Sequence, residues 1–573
     1  LPRRAATAIV RRARKERGRE MASSEFDYVI VGAGSAGAVL ADRLTEDGRS
    51  TVLLLEYGGS DRALIIQMPA ALSLPMNSSR YNWGYRSEPE PHLGGRRINC
   101  PRGKVLGGSS SINGLVYVRG NPLDFEHWEA EGARGWAYAN VLPYFRRAEG
   151  FRGGGDAWRG GEGPLATSRG LKRNPLYDAF IEAGRQAGYA VSADLNGERQ
   201  EGFGFLDMTV KDGVRWSTAN AYLRPALKRP NLRVLTHALA TRVAFEGRRA
   251  TGVRYRRSGV DELAGARREV ILCGGAINSP QLLKLSGIGP AAELIALGID
   301  VVADRPGVGE NLQDHLEFYF QVASKRPITL YGRTGLLSRA LVGLHWLARG
   351  RGLGASNHFE AGGFIRSRAG VRWPDIQFHF LPMAVAYDGS TLAKEHGFQA
   401  HVGPMRSKSR GWVRLRSADP AEPPKILFKY MSHPDDWAEM RACVRLTREI
   451  FAQEAFDPYR GREIRPGADC ATDEAIDAFV REHAESAYHP CGACKMGAPV
   501  DPMAVVDPET RVIGVEALRV VDSSIIPTIS TGNLNAPTIM IAEKAADMIR
   551  GRDPLPASNA PYYVAKDWET RQR

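Results

Sequence analysis

"FDYVIVGAGSAGAVLADRL", residues 26–44, decides how the rest of this 573-residue chain is read. It opens with an apolar strand at 28–31, turns through glycines and enters an Ala/Leu-rich helix. "STVLLLE", residues 50–56, follows as a second buried strand that ends at Glu56. Gly32, Gly34 and Gly37 thus stand as a G-x-G-x-x-G turn between strand and helix of a βαβ unit. Such glycines let the main chain approach a pyrophosphate, and the helix start, here at Ser35, offers free N–H groups and a favourable dipole. Glu56 lies 19 residues beyond Gly37, where a carboxylate binds ribose hydroxyls. The unit predicts dinucleotide binding, and by itself it does not separate NAD from FAD.

Bulk properties narrow the field. A chain of this length is too long for one core, so two domains are expected, one of them split along the sequence. No apolar run reaches the roughly 18–20 residues of a membrane span. The nearest, "TGLLSRALVGLHWLARG" at 334–350, is broken by Arg339 and His345 and reads as an amphipathic helix. Core packing is its first reading, peripheral membrane contact its second. The net charge of +13 is uneven: residues 1–20 hold eight Lys/Arg against Glu16 and Glu20, a net of +6, leaving +7 for the rest. The basic residues are scattered through globular sequence rather than striped with aromatics, so no nucleic-acid partner is predicted. Residues 1–24 read as a leader or upstream extension, with Met21 as a candidate start and an Arg-rich transit peptide as the alternative. Six cysteines are sparse and predict free thiols rather than a disulfide framework.

Further along, "REVILCGGAINSPQLLKLSGIG" (268–289) is a second strand–turn–helix. "LRVVDSSIIP" (518–527) reads as a strand returning to the first domain, and "APTIMIAEKAADMI" (536–549) as a closing helix.

"GKVLGGSSSINGLVYVRGNPLDFE" (103–126) and "GAINSPQLLKLSGIG" (275–289) resemble the two signature segments of the glucose–methanol–choline family of FAD-dependent alcohol oxidoreductases. The similarity continues through "ESAYHPCGACKMG" (485–497) and "STGNLNAPTIMIAEK" (530–544), and covers about residues 25–565. It implies an α/β protein (α+β overall): a discontinuous Rossmann-like FAD-binding domain at 25–150, 205–315 and 480–555. A substrate domain of antiparallel sheet backed by helices would take 151–204 and 316–479, with 556–573 as a C-terminal tail.

The resemblance also implies roles. Gly108, Ser109 and Asn113 would meet the pyrophosphate, ribityl chain and flavin ring, the main chain of Val243 the adenine, and Asp522 the phosphate–ribityl portion. Ile112 stands where some relatives carry a histidine bonded to FAD, which predicts non-covalent FAD. His489 and Asn533 match the catalytic pair: the imidazole to take the hydroxyl proton, the amide to hydrogen-bond the developing oxyanion, with hydride passing to flavin N5. Glu317, Tyr488 and His379 match residues that hold the trimethylammonium and the hydroxyl of choline, while another aromatic of that cage falls near Met68. The expected reaction is oxidation of choline to betaine aldehyde and on to glycine betaine. A membrane quinone is the expected acceptor, at the cytoplasmic face of a bacterial inner membrane, or at the mitochondrial inner membrane if residues 1–20 are a transit peptide. Another primary alcohol, or a lyase that merely carries FAD, are the alternatives. In 485–497 the histidine is preferred over Cys491 and Cys494, since zinc wants four ligands and no second pair is present.

Overall fold

A computed structural model describes residues 25–385 and 395–573. The expected leader, 1–24, lies outside them. Two seven-stranded sheets organise the chain.

The first runs Leu232–Leu235, Val52–Leu55, Glu25–Val31, Val260–Leu272, Arg249–Arg257, Ala238–Glu246, and Leu518–Val520 also pairs with Val260–Leu272. Its centre is parallel: Val29–Val31 lie between Leu53–Leu55 and Val270–Leu272. Strands covered on both faces must be apolar throughout, and Val52–Leu55 is buried at every position. The helix Ser35–Thr45 returns over this sheet, and the helix Asn535–Ile549 packs beside it through Ser35 Oγ–Asn535 Oδ1 (2.7 Å) and Arg43–Glu543. The returning strand and the closing helix thus stand where their sequence patterns predict, with Ser35 and Asn535 500 residues apart along the chain.

The second sheet is antiparallel, in the order Arg460–Arg465, Leu316–Ser324, Gly397–Pro404, Ile376–Leu381, Ala361–Ile365, Gly202–Phe205. Glu485–Ser486 extends it beside the start of Leu316–Ser324. Its strands alternate strictly. Phe318, Phe320, Phe378, Phe380, Phe398 and Ala400 point into a core closed by the helices Pro175–Gln186 and Pro434–Phe451. The intervening residues, Glu317 and Tyr319, Gln377 and His379, Gln399 and His401, share the opposite face. One face therefore stabilises the fold by apolar burial, and the other is free for chemistry.

Two segments carry contacts that the sequence reading leaves open. Tyr85, Leu93, Ile98 and Cys100, within the stretch assigned to the cofactor domain, pack into the second core. The C-terminal tail starts against the cofactor domain, where Ser558 N donates to Ala139 O at 2.8 Å, and ends on the substrate domain: Trp568 O accepts from Gly370 N at 2.8 Å, and Arg571 O from Arg366 Nη1 at 2.7 Å. Both segments are loop-rich, and nothing in their local pattern says which core takes their side chains.

Candidate active site

The two sheets meet over a cavity of about 2000 Å³, part of it open to solvent, and the motif residues line it. At one end stand Gly34, Ser35, Gly108, Ser109 and Asn113; at the other, Glu317, His379, Tyr488, His489 and Asn533.

The cofactor end is made by main chain. Gly32 has φ +101°, and a Cβ there would sit 2.4 Å from the Cys273 carbonyl oxygen. A Cβ on Gly37 would lie 1.9 Å from Gly32 O, so that glycine serves helix–strand packing and does not line the cavity. Gly34 is different. Its Cβ would meet nothing nearer than Gly108 Cα at 3.9 Å, in the open space of the cavity. The helices Ser35–Thr45 and Asn535–Ile549 both begin at the cavity wall without a side-chain cap. Two uncapped helix starts facing one glycine-lined space are a cradle for a diphosphate. Glu56 lines the same end; its oxygens accept from Ala33 N (2.9 Å) and Gly58 N (2.7 Å), and burial lifts its carboxyl to about 7. Lone pairs remain for hydroxyl donors. The chain fits a dinucleotide.

Two expected contacts change. Val243 lies outside the cavity lining, because its N–H donates to Ser286 Oγ at 2.8 Å; Ala238, Leu239 and Ala240, earlier on the same strand, line it instead. Asp522 lines the cavity and is also structural: it accepts from Gly275 N (2.8 Å), Ser279 Oγ (2.6 Å) and Ser524 N (2.8 Å). Ile112 presents an aliphatic side chain to the cavity, and Tyr57 stacks on Trp83 at 5.0 Å.

The substrate end is made by side chains, and hydrogen bonds fix their protonation. His315 Nε2 lies 3.0 Å from Met405 O, an acceptor only, so that nitrogen carries the hydrogen. Burial lowers the His315 imidazole to about 4, so the ring is neutral and its Nδ1 bare. His489 Nδ1, 3.1 Å away, must then be the donor. His489 Nε2 is left as a lone pair facing Asn533 Nδ2 at 3.0 Å. Burial first, then His315, His379 and Arg102, push the His489 imidazole well below its ordinary range. A neutral ring with a bare nitrogen at the cavity is a base ready for a hydroxyl proton. Asp314 holds it from behind, accepting from His489 N at 2.6 Å and Tyr430 OH at 2.6 Å.

Glu317 is oriented by the same logic. Gln399 Oε1 accepts from Gln321 Nε2 (2.8 Å) and Val385 N (2.8 Å), which turns Gln399 Nε2 toward His401 Nε2 at 2.7 Å. That leaves His401 Nδ1 to donate to Glu317 Oε1 at 2.9 Å. Phe359 faces His401 and His379 edge-on at 5.3 and 6.1 Å and lines the cavity. His379 Nε2 is 3.2 Å from Asn533 Oδ1. Tyr488 carries φ +66°, a strained backbone for a bulky residue, and its carbonyl accepts from Arg102 Nη2 at 2.6 Å.

The sequence reading does not single out His315, His401, Phe359 or Arg102. The first two carry a signal: polar residues alternating with apolar ones in "HLEFYF" and "FQAH" mark a polar sheet face. Arg215 carries none. It is fully buried, holds Asn113 O (2.8 Å) and Asn113 Oδ1 (2.9 Å), and has no ion pair among the described residues; burial lowers it to about 9. Met68 does not line the cavity; its Cε would meet a Cβ on Gly354. Cys491 and Cys494 are buried free thiols outside the lining, both shifted upward by burial, as a structural turn requires.

Comparison with known proteins agrees with this geometry. Residues 26–317 and 407–542 match the GMC oxidoreductase family. The chain is 61% identical over 549 residues to the oxygen-dependent choline dehydrogenase of Brucella ovis, covering 96% of this chain and 100% of the relative. It is 60% identical over the same span to that of Sinorhizobium medicae. Among solved structures, pyridoxine 4-oxidase from Mesorbium loti superposes with TM-score 0.83 at 31% identity, covering 92% of this chain and 99% of the other. A variant formate oxidase of Aspergillus oryzae, studied for FAD modification, gives TM-score 0.86 at 28% identity over 92% and 98%. With a glycine-lined dinucleotide cradle joined to a neutral His489–Asn533 pair, and with matches along nearly its whole length, the chain belongs to the GMC oxidoreductase family.

Proposed function

We propose that this chain oxidises choline to betaine aldehyde with FAD. The observation that carries the proposal is the placement of the Glu317 carboxylate and the Phe359 ring in the same cavity as the His489–Asn533 pair. A quaternary ammonium has no N–H, so charge and aromatic faces must hold it; cation–π contacts contribute about 0.5–2 kcal/mol each. The net charge of +13 opposes a cationic substrate, which makes the local carboxylate decisive.

FAD, when bound, supplies the two-electron acceptor for the hydride that leaves the alcohol carbon. The chain does the rest. His489 Nε2 takes the hydroxyl proton, and the amide N–H of Asn533 stabilises the charge that develops on oxygen. Glu317, with Tyr488 and Phe359, sets the distance from the cationic head to the reacting carbon, and His379 orients the hydroxyl. The alcohol loses one proton and one hydride and leaves as the aldehyde. The hydrated aldehyde is again an alcohol and uses the same site, giving glycine betaine. Consumption of betaine aldehyde by the purified protein tests that step.

Ile112 supports a non-covalent cofactor, since an aliphatic side chain forms no bond to it; acid precipitation should release all flavin into the supernatant. For the acceptor, the names of the relatives point to oxygen, whereas the exposed leucines of the helix Leu336–Arg349 favour one in the membrane. Peroxide formed in air in step with choline turnover would decide for oxygen; its absence, with turnover restored by a soluble quinone, would decide for the membrane.

The reading as a whole is tested by adding choline anaerobically to the yellow protein. Rapid loss of the oxidised-flavin band is expected. A band that persists with choline but falls with another primary alcohol would reassign the substrate, and turnover without reduction would make the chain a lyase.

A further inference from the structure

The helix Leu336–Arg349 faces the wrong way for a globular protein. Leu336, Leu337, Leu341, Leu344 and Leu347 are 55% to 88% exposed, whereas Trp346 is the helix's one buried side chain. At about 100° per residue the five leucines share one arc of about 140°. That is the face an amphipathic helix ordinarily turns to the core. The orientation is fixed: Trp346 Nε1 donates to Gly213 O at 2.7 Å, and the helix ends in a left-handed Gly350 whose N–H returns to Trp346 O.

Charge says what covers this face. Between Glu317 and Glu360 the sequence has no Asp or Glu, but it has Lys325, Arg326, Arg333, Arg339, Arg349 and Arg351. Arg333, Arg339, Arg349 and Arg351 form no ion pair among the described residues. A second copy of the chain docking here about a two-fold axis would bring like charges together. No described helix is long and apolar enough to cross a membrane. We propose that this face lies on an anionic phospholipid bilayer, with the leucines in the headgroup–acyl boundary and the arginines on lipid phosphates. Phe359, ten residues beyond the helix along the chain, lines the cavity. None of this depends on which alcohol is the substrate.

The test is sedimentation of the full-length, flavin-loaded protein with vesicles of phosphatidylcholine containing about 30% phosphatidylglycerol or none. We expect the protein to pellet with the anionic vesicles. In a Leu337→Gln/Leu341→Gln/Leu344→Gln variant the partition should fall at least about tenfold, while anaerobic flavin reduction by the substrate alcohol is unchanged. All three side chains are exposed, so the fold does not depend on them. The basic residues 1–20 are present in both proteins, and the difference therefore reports the helix. Equal pelleting of the two proteins, or pelleting of neither, would overturn the proposal. Binding indifferent to phosphatidylglycerol would overturn the headgroup assignment. A vesicle-free dimer that the variant abolishes would give the face to a second copy instead.

Discussion

The two ends of the cavity are built from different materials. At the cofactor end, glycines and helix starts present main chain, and a short local pattern is enough to produce them. At the substrate end, His489, Asn533, Glu317 and His379 come from segments up to 216 residues apart, and their hydrogen bonds fix which nitrogen carries a proton. Main-chain sites tolerate little change of side-chain volume but much change of chemistry elsewhere; side-chain sites behave in the opposite way. Substitutions can separate the two.

The largest effect is expected from His489→Ala. Loss of the base should slow choline-driven flavin reduction about 10²–10⁴-fold in anaerobic stopped flow, with flavin content unchanged. If the flavin is lost as well, the two ends are not independent. Next, Glu317→Gln should cut kcat/KM for choline about 10²-fold, or ~2.7 kcal/mol, yet spare the uncharged isostere 3,3-dimethylbutan-1-ol. An equal loss for both alcohols would mean that Glu317 supports the fold around His401 rather than the cation.

The glycines sharpen the comparison from the other side. Gly34→Ala adds a methyl that no protein atom opposes within 3.9 Å, so it should weaken FAD binding about tenfold or more at constant Tm of the cofactor-free chain. Gly37→Ala, whose methyl would sit 1.9 Å from Gly32 O, should instead lower that Tm, by the ~1–3 kcal/mol of an overpacked site or more. Identical behaviour of the two would erase the distinction between a ligand-facing and a packing glycine.

The smallest effect is in pH. Burial holds the Glu56 carboxyl at about 7 against an ordinary 4.5. A carboxyl raised in the folded state contributes stability that is complete below the unfolded value and lost as pH rises through the folded one. Between about pH 5 and 8 the cofactor-free chain should therefore lose Tm through this group, and Glu56→Gln should remove about 2 °C of that decline. No change in the slope would mean that Glu56 is ionised in the fold, held by its two backbone donors.

Much of the site is legible in the amino-acid sequence. Of the residues that the motifs and the family resemblance assign to the site, three stand outside the cavity lining: Gly37 packs against Gly32, Val243 gives its N–H to Ser286, and Met68 lies toward Gly354. What escapes is of two kinds. His315 and His401 hydrogen-bond His489 and Glu317 directly, but the alternation that puts them on a polar sheet face does not say which neighbour each will meet. Phe359 and Arg102 reach the cavity from loops, where no periodicity reports direction.

By itself, the sequence determined the βαβ unit, the apolar strands and the glycine turn, because those depend on sterics and hydrogen bonding within about thirty residues. It also determined the family, through segments whose residue types are tied to one cofactor. Only the tertiary structure decided which nitrogen of His489 is bare, since that follows from Met405 O acting on His315 across 90 residues. It alone decided that Leu336–Arg349 buries Trp346 and exposes its leucines, for periodicity gives a helix two faces and only packing chooses between them.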